Sequence, residues 1–320
     1  MNNVSFNPKN FNGPVLVTGA GGCIGSWVVA LLFKAKIPLV AFDLSQETHR
    51  LKLLLSDSEI NKIKWITGDI VDTKNIDNVI RDNNIQSIIH LAALQVPFCA
   101  ADPVNGAKVN VVGTVNIFEA ARKHNIKKLV YASSVAAHGF ISKDMYMPTL
   151  YGAYKLCDEN IANVYYRDWG IPSIGFRPGI AYGIGRDQGM TSKTTFAILA
   201  AATNQSYTIP FSGPISALHV REVASALITA LSKKHNASPV FDMNGVYTTV
   251  EEWVNILQKI EPKAKISIEG KAMPFPFNFS DRPLRKYIGD YEQVDLKIGI
   301  NETFLSFKNL VSKGIISTNL

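Results

Sequence analysis

The sequence predicts an α/β fold with a doubly wound, mainly parallel sheet and a smaller C-terminal lobe. Two observations predict it. The first 178 residues alternate between short β-branched runs and longer helical patterns, and this βαβα order places helices on both faces of a parallel sheet. After Pro178 the alternation gives way to a glycine-rich stretch, residues 179–189. A chain of 320 residues is long enough to bury one large core or two smaller ones.

Six apolar runs are predicted to be strands buried on both faces. They span residues 15–17, 39–42, 63–66, 87–89, 129–132 and 173–176. Helices are predicted to begin near Ile24, Thr73, Pro103 and Tyr151. Because doubly wound sheets bind ligands beyond the carboxyl ends of their strands, the residues that follow each strand are the candidates for function.

The predicted domain boundary is interleaved. Residues 1–178 form the main domain, and residues 214–244 return to it through a helical pattern at 220–231 and a strand-like run at 240–243. Residues 179–213 and 245–320 form the smaller lobe.

Composition and charge exclude several classes of protein. With 47% hydrophobic and 18% charged residues the chain is not disordered. No apolar run reaches the roughly 18 residues that cross a bilayer, so we expect a cytoplasmic protein without a membrane partner. The 33 Lys and Arg against 26 Asp and Glu give a net charge of +7. These basic residues come as scattered pairs without interleaved aromatics, so nucleic acid is not an expected partner.

The three cysteines, Cys23, Cys99 and Cys157, lie far apart in the sequence. Their spacing fits neither a disulfide framework nor a metal site, so we predict no metal and expect small buried side chains.

A glycine-rich turn follows the first strand. Residues 18–25 read TGAGGCIG, with Gly19, Gly22 and Gly25 placed between strand and helix. In that context the first glycine allows a tight turn, the second lets backbone N–H groups approach a pyrophosphate, and the third lets the helix pack on the strand. We therefore predict a dinucleotide-binding site.

Residues after the next three strands refine this prediction. Asp43 ends the second strand 18 residues after Gly25, near the spacing of a carboxylate that binds an adenosine ribose. It would repel a 2′-phosphate, and residues 44–46 contain no arginine, so NAD is favoured over NADP. Asp69 is expected at the adenine amino group. The small residues after His90 leave room for a flat ligand, and His90 itself is expected to satisfy backbone groups.

A tyrosine and a lysine begin the helix after the fifth strand. Tyr151 and Lys155 are separated by four residues, so they lie one turn apart on one helix face. A tyrosine, with an ordinary pKa near 10, acts as a base at neutral pH only beside a cation. Ser134, which follows the fifth strand after Ser133, would donate a hydrogen bond to the substrate oxygen.

In this order of motifs the sequence resembles the extended short-chain dehydrogenase/reductase family, also called the NAD-dependent epimerase/dehydratase family. The matching segments also include residues 68–70, 90–93, 110–114, 177–178 and 219–224. The resemblance implies a Rossmann-type domain that binds NAD, a smaller substrate-binding lobe, and Ser134, Tyr151 and Lys155 as the catalytic residues. The implied cofactor-binding set is Gly19, Gly22, Cys23, Ile24, Gly25, Asp43, Asp69, Ile70, Leu91, Ala92, Ala93, Asn110, Lys155 and Pro178.

Two departures from the family bear on the substrate. Members that act on nucleotide sugars carry a pyrophosphate-binding arginine at the position of Ile215, and a second one just before the position of Asp281, where residues 270–280 contain none. Each missing contact removes roughly 1.5 to 3 kcal/mol. A small sugar, sugar acid or polyol without a nucleotide therefore fits better, unless Lys271 or Arg282 compensates.

The candidate substrate contacts are Gln95, Ser134, Arg186 and Lys193. Arg186 would grip a carboxylate, although an exposed loop arginine is an equally good interpretation. The family's dehydratases have a threonine followed by an acidic pair where Ser134, Val135 and Ala136 stand here, so dehydration is not expected. Simple oxidation and epimerisation both stay open.

Three alternatives to an oxidoreductase of carbohydrate metabolism remain: a nucleotide-sugar epimerase, a non-catalytic dinucleotide-sensing protein and a nucleic-acid-binding protein. The resemblance also implies a homodimer. Ile161, Val164 and Tyr165 give an apolar stripe that fits either a dimer interface or the core.

Overall fold

The apolar runs form strands, and the amphipathic stretches between them form helices, in a computed structural model that describes residues 6–139, 149–273 and 279–316. The strands are β1 (Val15–Thr18), β2 (Leu39–Asp43), β3 (Lys64–Thr67), β4 (Ser87–His90), β5 (Leu129–Ala132), β6 (Ile174–Pro178), β7 (Ile180–Tyr182), β8 (Ser206–Ile209), β9 (Pro214–His219), β10 (Val240–Met243), β11 (Val246–Thr249) and β12 (Lys265–Ile268). The helices are α1 (Cys23–Lys34), α2 (Asp57–Ile60), α3 (Thr73–Asp82), α4 (Val96–Ala101), α5 (Pro103–Ala107), α6 (Gly113–Lys123), α7 (Leu150–Trp169), α8 (Lys193–Ala202), α9 (Val220–Leu231), α10 (Val250–Ile260), α11 (Arg282–Ile288) and α12 (Leu296–Ser312).

The main sheet has the strand order β10-β6-β5-β4-β1-β2-β3, and every pair in it is parallel. Successive residues of a strand point to opposite faces. Val15 and Val17 accordingly join a core with α1 and α9, while Leu16 joins a second core with α3, α6 and α7. The predicted doubly wound α/β fold is confirmed.

One predicted strand is less buried than expected. β3 was predicted to be buried on both faces, but Lys64 and Thr67 are exposed, and Trp65 and Ile66 are half-buried. The reason is its place at the edge of the sheet, where only β2 flanks it.

The cysteine prediction is correct for one residue and wrong for two. Cys99 is buried, whereas Cys23 and Cys157 are half-buried, and all three are free thiols.

The segment predicted to return to the main sheet divides between two sheets. β10 pairs with β6 in the main sheet, and α9 packs on α1. β9, however, lies in a small sheet of order β11-β9-β7, and β12 pairs with β8 in a third sheet. The division into a main domain and a substrate lobe stays a prediction.

Within residues 6–139, 149–273 and 279–316, no helix is long and apolar enough to cross a membrane. The same residues contain no cluster of His, Cys, Asp or Glu side chains arranged to hold a metal ion.

Candidate active site

The glycine-rich turn forms a cradle at the N-terminus of α1. Gly19 has a φ of +68°, and a Cβ on Gly25 would collide with the Gly19 carbonyl oxygen. Gly22 is the N-cap of α1 and places no side chain over the first-turn N–H groups. The cradle thus presents open backbone donors to a cavity of about 270 Å³, which Gly22, Cys23 and Ile24 line.

The acidic residues predicted to meet the adenosine lie at the ends of their strands, outside this cavity. Asp43 accepts hydrogen bonds from Gly21 N and Leu44 N, each at 2.8 Å. Asp69 is exposed and accepts a bond from Val71 N at 2.9 Å, while Ile70 is buried. Asp43 therefore contacts the cradle directly, and Asp69 stands farther along the same edge of the sheet.

Ser134, Tyr151 and Lys155 line the cavity together with Gly19, Leu91 and Ala93. The Ser134 Oγ accepts a bond from Ala136 N at 3.1 Å, which leaves its hydroxyl hydrogen for a ligand. The Lys155 Nζ lies 6.0 Å from the centroid of the Tyr151 ring. The structure thus brings the three predicted catalytic residues to one wall, and Pro178 lines the same cavity.

The start of α7 places the tyrosine against the serine. Thr149 caps the helix by accepting a bond from Gly152 N at 3.0 Å. Gly152 packs on the turn after Ser134 so closely that a Cβ there would collide with the Ala136 carbonyl oxygen. The close approach of helix and turn therefore depends on this glycine.

Lys155 is buried with a carboxylate partner that the sequence analysis missed. Its Nζ lies 3.1 Å from Asp158 Oδ2, and both side chains are at most 3% exposed. Burial is the largest single influence and lowers the pKa of Lys155, but attraction by Asp158 and Tyr151, together with the hydrogen bond to Asp158, outweighs burial, and the net shift is upward. The lysine therefore stays an ammonium beside the tyrosine.

A second missed carboxylate, Glu159, ties β5, α7 and β6 together. It accepts a hydrogen bond from Ser133 Oγ. The Arg177 guanidinium binds it in a bidentate pair, at 2.7 and 2.5 Å. Tyr151, Lys155 and Glu159 recur every fourth residue, and that periodicity was the signal that would have predicted a functional role.

His90 bonds two threonine hydroxyls rather than the backbone groups expected from the sequence. Thr18 Oγ1 accepts from Leu91 N and Ala92 N, so its own hydrogen goes to His90 Nδ1, 2.7 Å away. The other ring nitrogen lies 3.2 Å from Thr114 Oγ1. Burial, followed by the charge of Lys155, lowers the pKa of His90 to about 3, so the ring is neutral and positions the loop after β4.

Asn110, expected at the cofactor, uses its side chain to hold that same loop. Its Oδ1 accepts from Leu94 N at 2.8 Å, and its Nδ2 donates to Leu94 O at 3.1 Å. It lies buried in a π-helical segment, Lys108–Val112.

Of the predicted substrate contacts, Gln95 and Arg186 line the cavity beside Ser134. Lys193 is not among the lining residues. Its Nζ lies 4.9 Å from the centroid of the Phe196 ring, on its own helix. Lys193 therefore lies outside the lining of this cavity, and its contact with the substrate stays a prediction.

A contact between distant segments closes the cradle from the side. Arg50 donates to Asp187 Oδ1 from Nε and Nη2, at 2.9 and 2.7 Å, and to the Gly21 carbonyl oxygen at 2.9 Å. No local pattern in the sequence predicts this contact, because the two partners are 137 residues apart.

Comparison with known proteins identifies the family of the chain. The sequence profile of the NAD dependent epimerase/dehydratase family matches residues 15–244. A UDP-glucose 4-epimerase of Bacillus subtilis is 26% identical over 306 residues, which cover 84% of this chain and 85% of that protein.

Solved structures show the same fold. A UDP-glucose 4-epimerase of Thermus thermophilus in complex with NAD has a TM-score of 0.76 at 22% identity and covers 92% of this chain and 99% of its own. An L-threonine dehydrogenase of Clostridium difficile has a TM-score of 0.79 at 19% identity and covers 96% of this chain and all of its own.

Proposed function

We propose, from the premise that the chain belongs to the NAD dependent epimerase/dehydratase family, that it oxidises or epimerises a secondary hydroxyl of a small sugar, sugar acid or polyol. One observation carries the proposal. Ser134, Tyr151 and Lys155 line the same cavity as the glycine cradle. The open cradle, whose N-cap Gly22 carries no side chain, fits NAD, with Asp43 at its ribose.

The residues divide the chemistry among them. The Tyr151 phenolate takes the proton from the substrate hydroxyl, and Ser134 donates a hydrogen bond to the same oxygen. The buried Lys155 ammonium favours the phenolate and is itself held by Asp158. NAD, when bound, supplies the acceptor for the hydride. In the reverse direction Tyr151 returns the proton.

The substrate is proposed to lack a nucleotide because the described residues at the two positions that would bind the pyrophosphate of a nucleotide sugar carry no positive charge. Ile215 is buried in β9, and its neighbour Ser216 lines the cavity. The Phe279 ring stacks on the His138 ring with the two centroids 4.4 Å apart, near the position of the second missing arginine. Residues 274–278 of that stretch lie outside the described residues. A cavity of about 270 Å³ must also hold the nicotinamide end, which favours a small substrate.

The test is NAD reduction with a panel of aldoses, uronates and aldonates, followed by absorbance of the reduced cofactor. Tyr151→Phe should lower turnover by roughly 10² to 10⁴-fold, because the proton acceptor is lost. NAD binding should not change. Wild-type turnover by the variant would refute the catalytic assignment.

A UDP-sugar epimerase is the second candidate, favoured by the similarity to the Bacillus subtilis enzyme. Micromolar binding of UDP-glucose in calorimetry would place it ahead of the small-substrate proposal. A non-catalytic sensor is disfavoured because both Tyr151 and Lys155 are in place at the cavity.

We further propose a homodimer, formed by an exposed apolar face on α5, the π-helical segment and α7. Val104, Val112, Leu156 and Val164 are exposed there, whereas Tyr165 of the predicted stripe is buried against Phe118. Leu156→Glu should convert a dimer to a monomer in sedimentation, and Leu305→Glu, an exposed leucine of α12, is the matched control. A monomeric wild-type protein would refute the dimer.

A cytoplasmic location is also proposed. The free state of Cys23, Cys99 and Cys157 supports a reducing compartment. Cell fractionation with an antibody to the chain tests it.

A further inference from the structure

Arg50 and Arg186 both lie near the N-terminus of α1, but only Arg50 pairs with the nearby carboxylate of Asp187. The Arg50 side chain is 10% exposed and donates twice to Asp187 Oδ1. The second oxygen, Asp187 Oδ2, lies 3.3 Å from His49 Nε2. Both carboxylate oxygens of Asp187 therefore contact Arg50 or His49 and not its neighbour in the chain, Arg186.

Arg186 is left with unused donors. Its Nη2 donates to Thr191 Oγ1 at 2.9 Å. Its Nε is buried and has no hydrogen-bond partner among the described residues. A guanidinium carries five N–H donors, and withdrawing it from water without a partner is costly. The side chain is therefore built to receive an anion that the protein itself does not supply.

The position of Arg186 indicates which anion. It lines the same cavity as Gly22 and Cys23, the first residues of the cradle. Burial raises the pKa of the Cys23 thiol to about 11, and the nearby charge of Arg186 opposes that rise. On its other side, a Cβ on Gly189 would lie 3.3 Å from Arg186 Nη2 and 2.6 Å from Gln95 Oε1. The guanidinium therefore stands between the helix N-terminus and the loop that carries Gly189.

We propose that Arg186 binds the pyrophosphate of the dinucleotide, opposite the backbone donors of the cradle, and that Arg50 keeps Asp187 from neutralising it. A guanidinium matches phosphate oxygens in a bidentate geometry that the helix N-terminus cannot supply alone. The inference moves Arg186 from the substrate, where the sequence alone placed it, to the cofactor. It concerns the binding of NAD and does not depend on which substrate is turned over.

The test uses two ligands that differ in the pyrophosphate. ADP-ribose contains it and lacks the nicotinamide, and adenosine contains neither. Arg186→Gln should weaken ADP-ribose binding in calorimetry by roughly 10- to 100-fold, the range of a charge-assisted contact. Arg186→Lys should weaken it less, because the charge is kept. Adenosine binding, followed by ligand-observed NMR, should not change in either variant.

Arg81→Gln removes the same charge from the exposed end of α3, the helix that follows the edge strand β3, and should leave both ligands unaffected. Wild-type affinity of Arg186→Gln for ADP-ribose, or an equal loss for adenosine, would overturn the proposal.

A second variant tests the role of Arg50. Arg50→Gln frees Asp187 to pair with Arg186, so ADP-ribose binding should weaken although Arg50 itself is not assigned to the ligand. Adding Asp187→Asn should restore part of the affinity. A double variant no better than Arg50→Gln would show that Arg50 does not act through Asp187. Failure to find a substrate would leave these binding results intact, so the two proposals fail separately.

Discussion

The pairing of Lys155 with Asp158 decides the charge beside Tyr151, at the cavity wall that carries the proposed catalytic residues. Both side chains are almost completely buried, and such burial by itself favours the neutral amine and the neutral acid. Burial does raise the pKa of Asp158, while the attraction between the two groups raises that of Lys155. Asp158 is thus a positioning residue that acts on the reaction through the lysine.

Asp158→Asn should therefore lower the pKa of Lys155, since the desolvation penalty remains and the attraction is gone. We expect the alkaline limb of the pH–rate profile to move to lower pH, with a smaller loss at neutral pH. Asp168→Asn, which changes an exposed carboxylate on the same helix, is the control. An unchanged alkaline limb would contradict the role given to Asp158.

Cys23 should be unreactive despite its place in the cradle. Although the residue as a whole is half-buried, burial of its thiol group raises the pKa to about 11, so only about a thousandth is thiolate at pH 8. Treatment of the folded protein with iodoacetamide at that pH, read by peptide mass spectrometry, should leave Cys23 unmodified, and the unfolded protein should be modified fully. Rapid alkylation in the folded protein would refute this prediction.

At the scale of elements, α7 organises the site through residues one turn apart. Tyr151 and Lys155 face the cavity, and Glu159 anchors the same helix face to Ser133 and Arg177. The helix and the serine turn are therefore held in register at both ends, by Gly152 near Tyr151 and by Glu159 below Lys155.

Gly152→Ala tests this register. An exposed helical glycine changed to alanine ordinarily gains about 0.5 to 1 kcal/mol of stability. Here the new Cβ would meet the Ala136 carbonyl oxygen, so we expect a loss of at least about 1 kcal/mol and a large loss of turnover. Ala153→Gly, at the next and exposed position, should cost a similar amount, about 1 kcal/mol, but leave turnover unchanged, so turnover separates the two variants. Chemical unfolding and NAD reduction measure the two effects.

The local sequence pattern predicted the bounds of single helices and strands well. It predicted less well the properties that depend on neighbouring strands, namely burial and membership of a sheet. α9 and β10 have the bounds expected from their apolar runs, Val220–Leu231 and Val240–Met243. The exposure of β3 could not be predicted, because it follows from the position of β3 at the edge of the sheet, and the residues at 63–66 do not encode that position. The sheet to which β9 belongs depends on β7 and β11, which come from elsewhere in the chain.

At the scale of the whole molecule, α9 binds the C-terminal segment through charges that are buried or half-buried. Arg221 Nε lies 3.0 Å from Glu292 Oε1, and Arg221 Nη1 lies 2.9 Å from Glu302 Oε2. Its neighbour Glu222 accepts a bond from Val294 N at 3.3 Å. Burial, with the charges of Asp281 and Glu292, raises the pKa of Glu222 to about 8.

This raised pKa predicts a stability that falls as pH rises. The folded form keeps the Glu222 proton up to about pH 8, whereas the unfolded chain releases it near its ordinary value of 4.5. Between these values folding takes up a proton, so the free energy of unfolding falls by up to about 1.4 kcal/mol per pH unit from this group. Asp281 and Glu292, whose pKa values burial also raises, act in the same direction.

Glu222→Gln should flatten this dependence between about pH 6 and pH 8 in urea unfolding. Glu251→Gln is the control, because hydrogen bonds from backbone N–H groups lower the pKa of Glu251 and place its titration below that window. Equal slopes for wild type and Glu222→Gln would contradict the prediction.

The fold and the grouping of Ser134, Tyr151 and Lys155 at one cavity were thus predictable, because strand alternation, the glycine spacing and the four-residue spacing of Tyr151 and Lys155 are local. The contacts that complete the site were not. Arg50 reaches Asp187, and Ser133 reaches Glu159, only after the sheet has brought their segments together. Arg186 is an example. The sequence alone suggests that it binds the substrate, but its neighbour Asp187 pairs with Arg50, and we therefore propose that Arg186 binds the cofactor.

The link between Arg50, Gly21 and Asp187 also has a consequence for the order of events in turnover. The segment from Ile184 to Asp187 is fixed at one end by Trp27 Nε1, which donates to the Ile184 carbonyl oxygen at 2.8 Å, and at the other by Arg50. A dinucleotide held by Arg186 as proposed would depart only after this segment lifts. The converted substrate should therefore dissociate first and the cofactor last, and product-inhibition kinetics should show NADH competing with NAD alone.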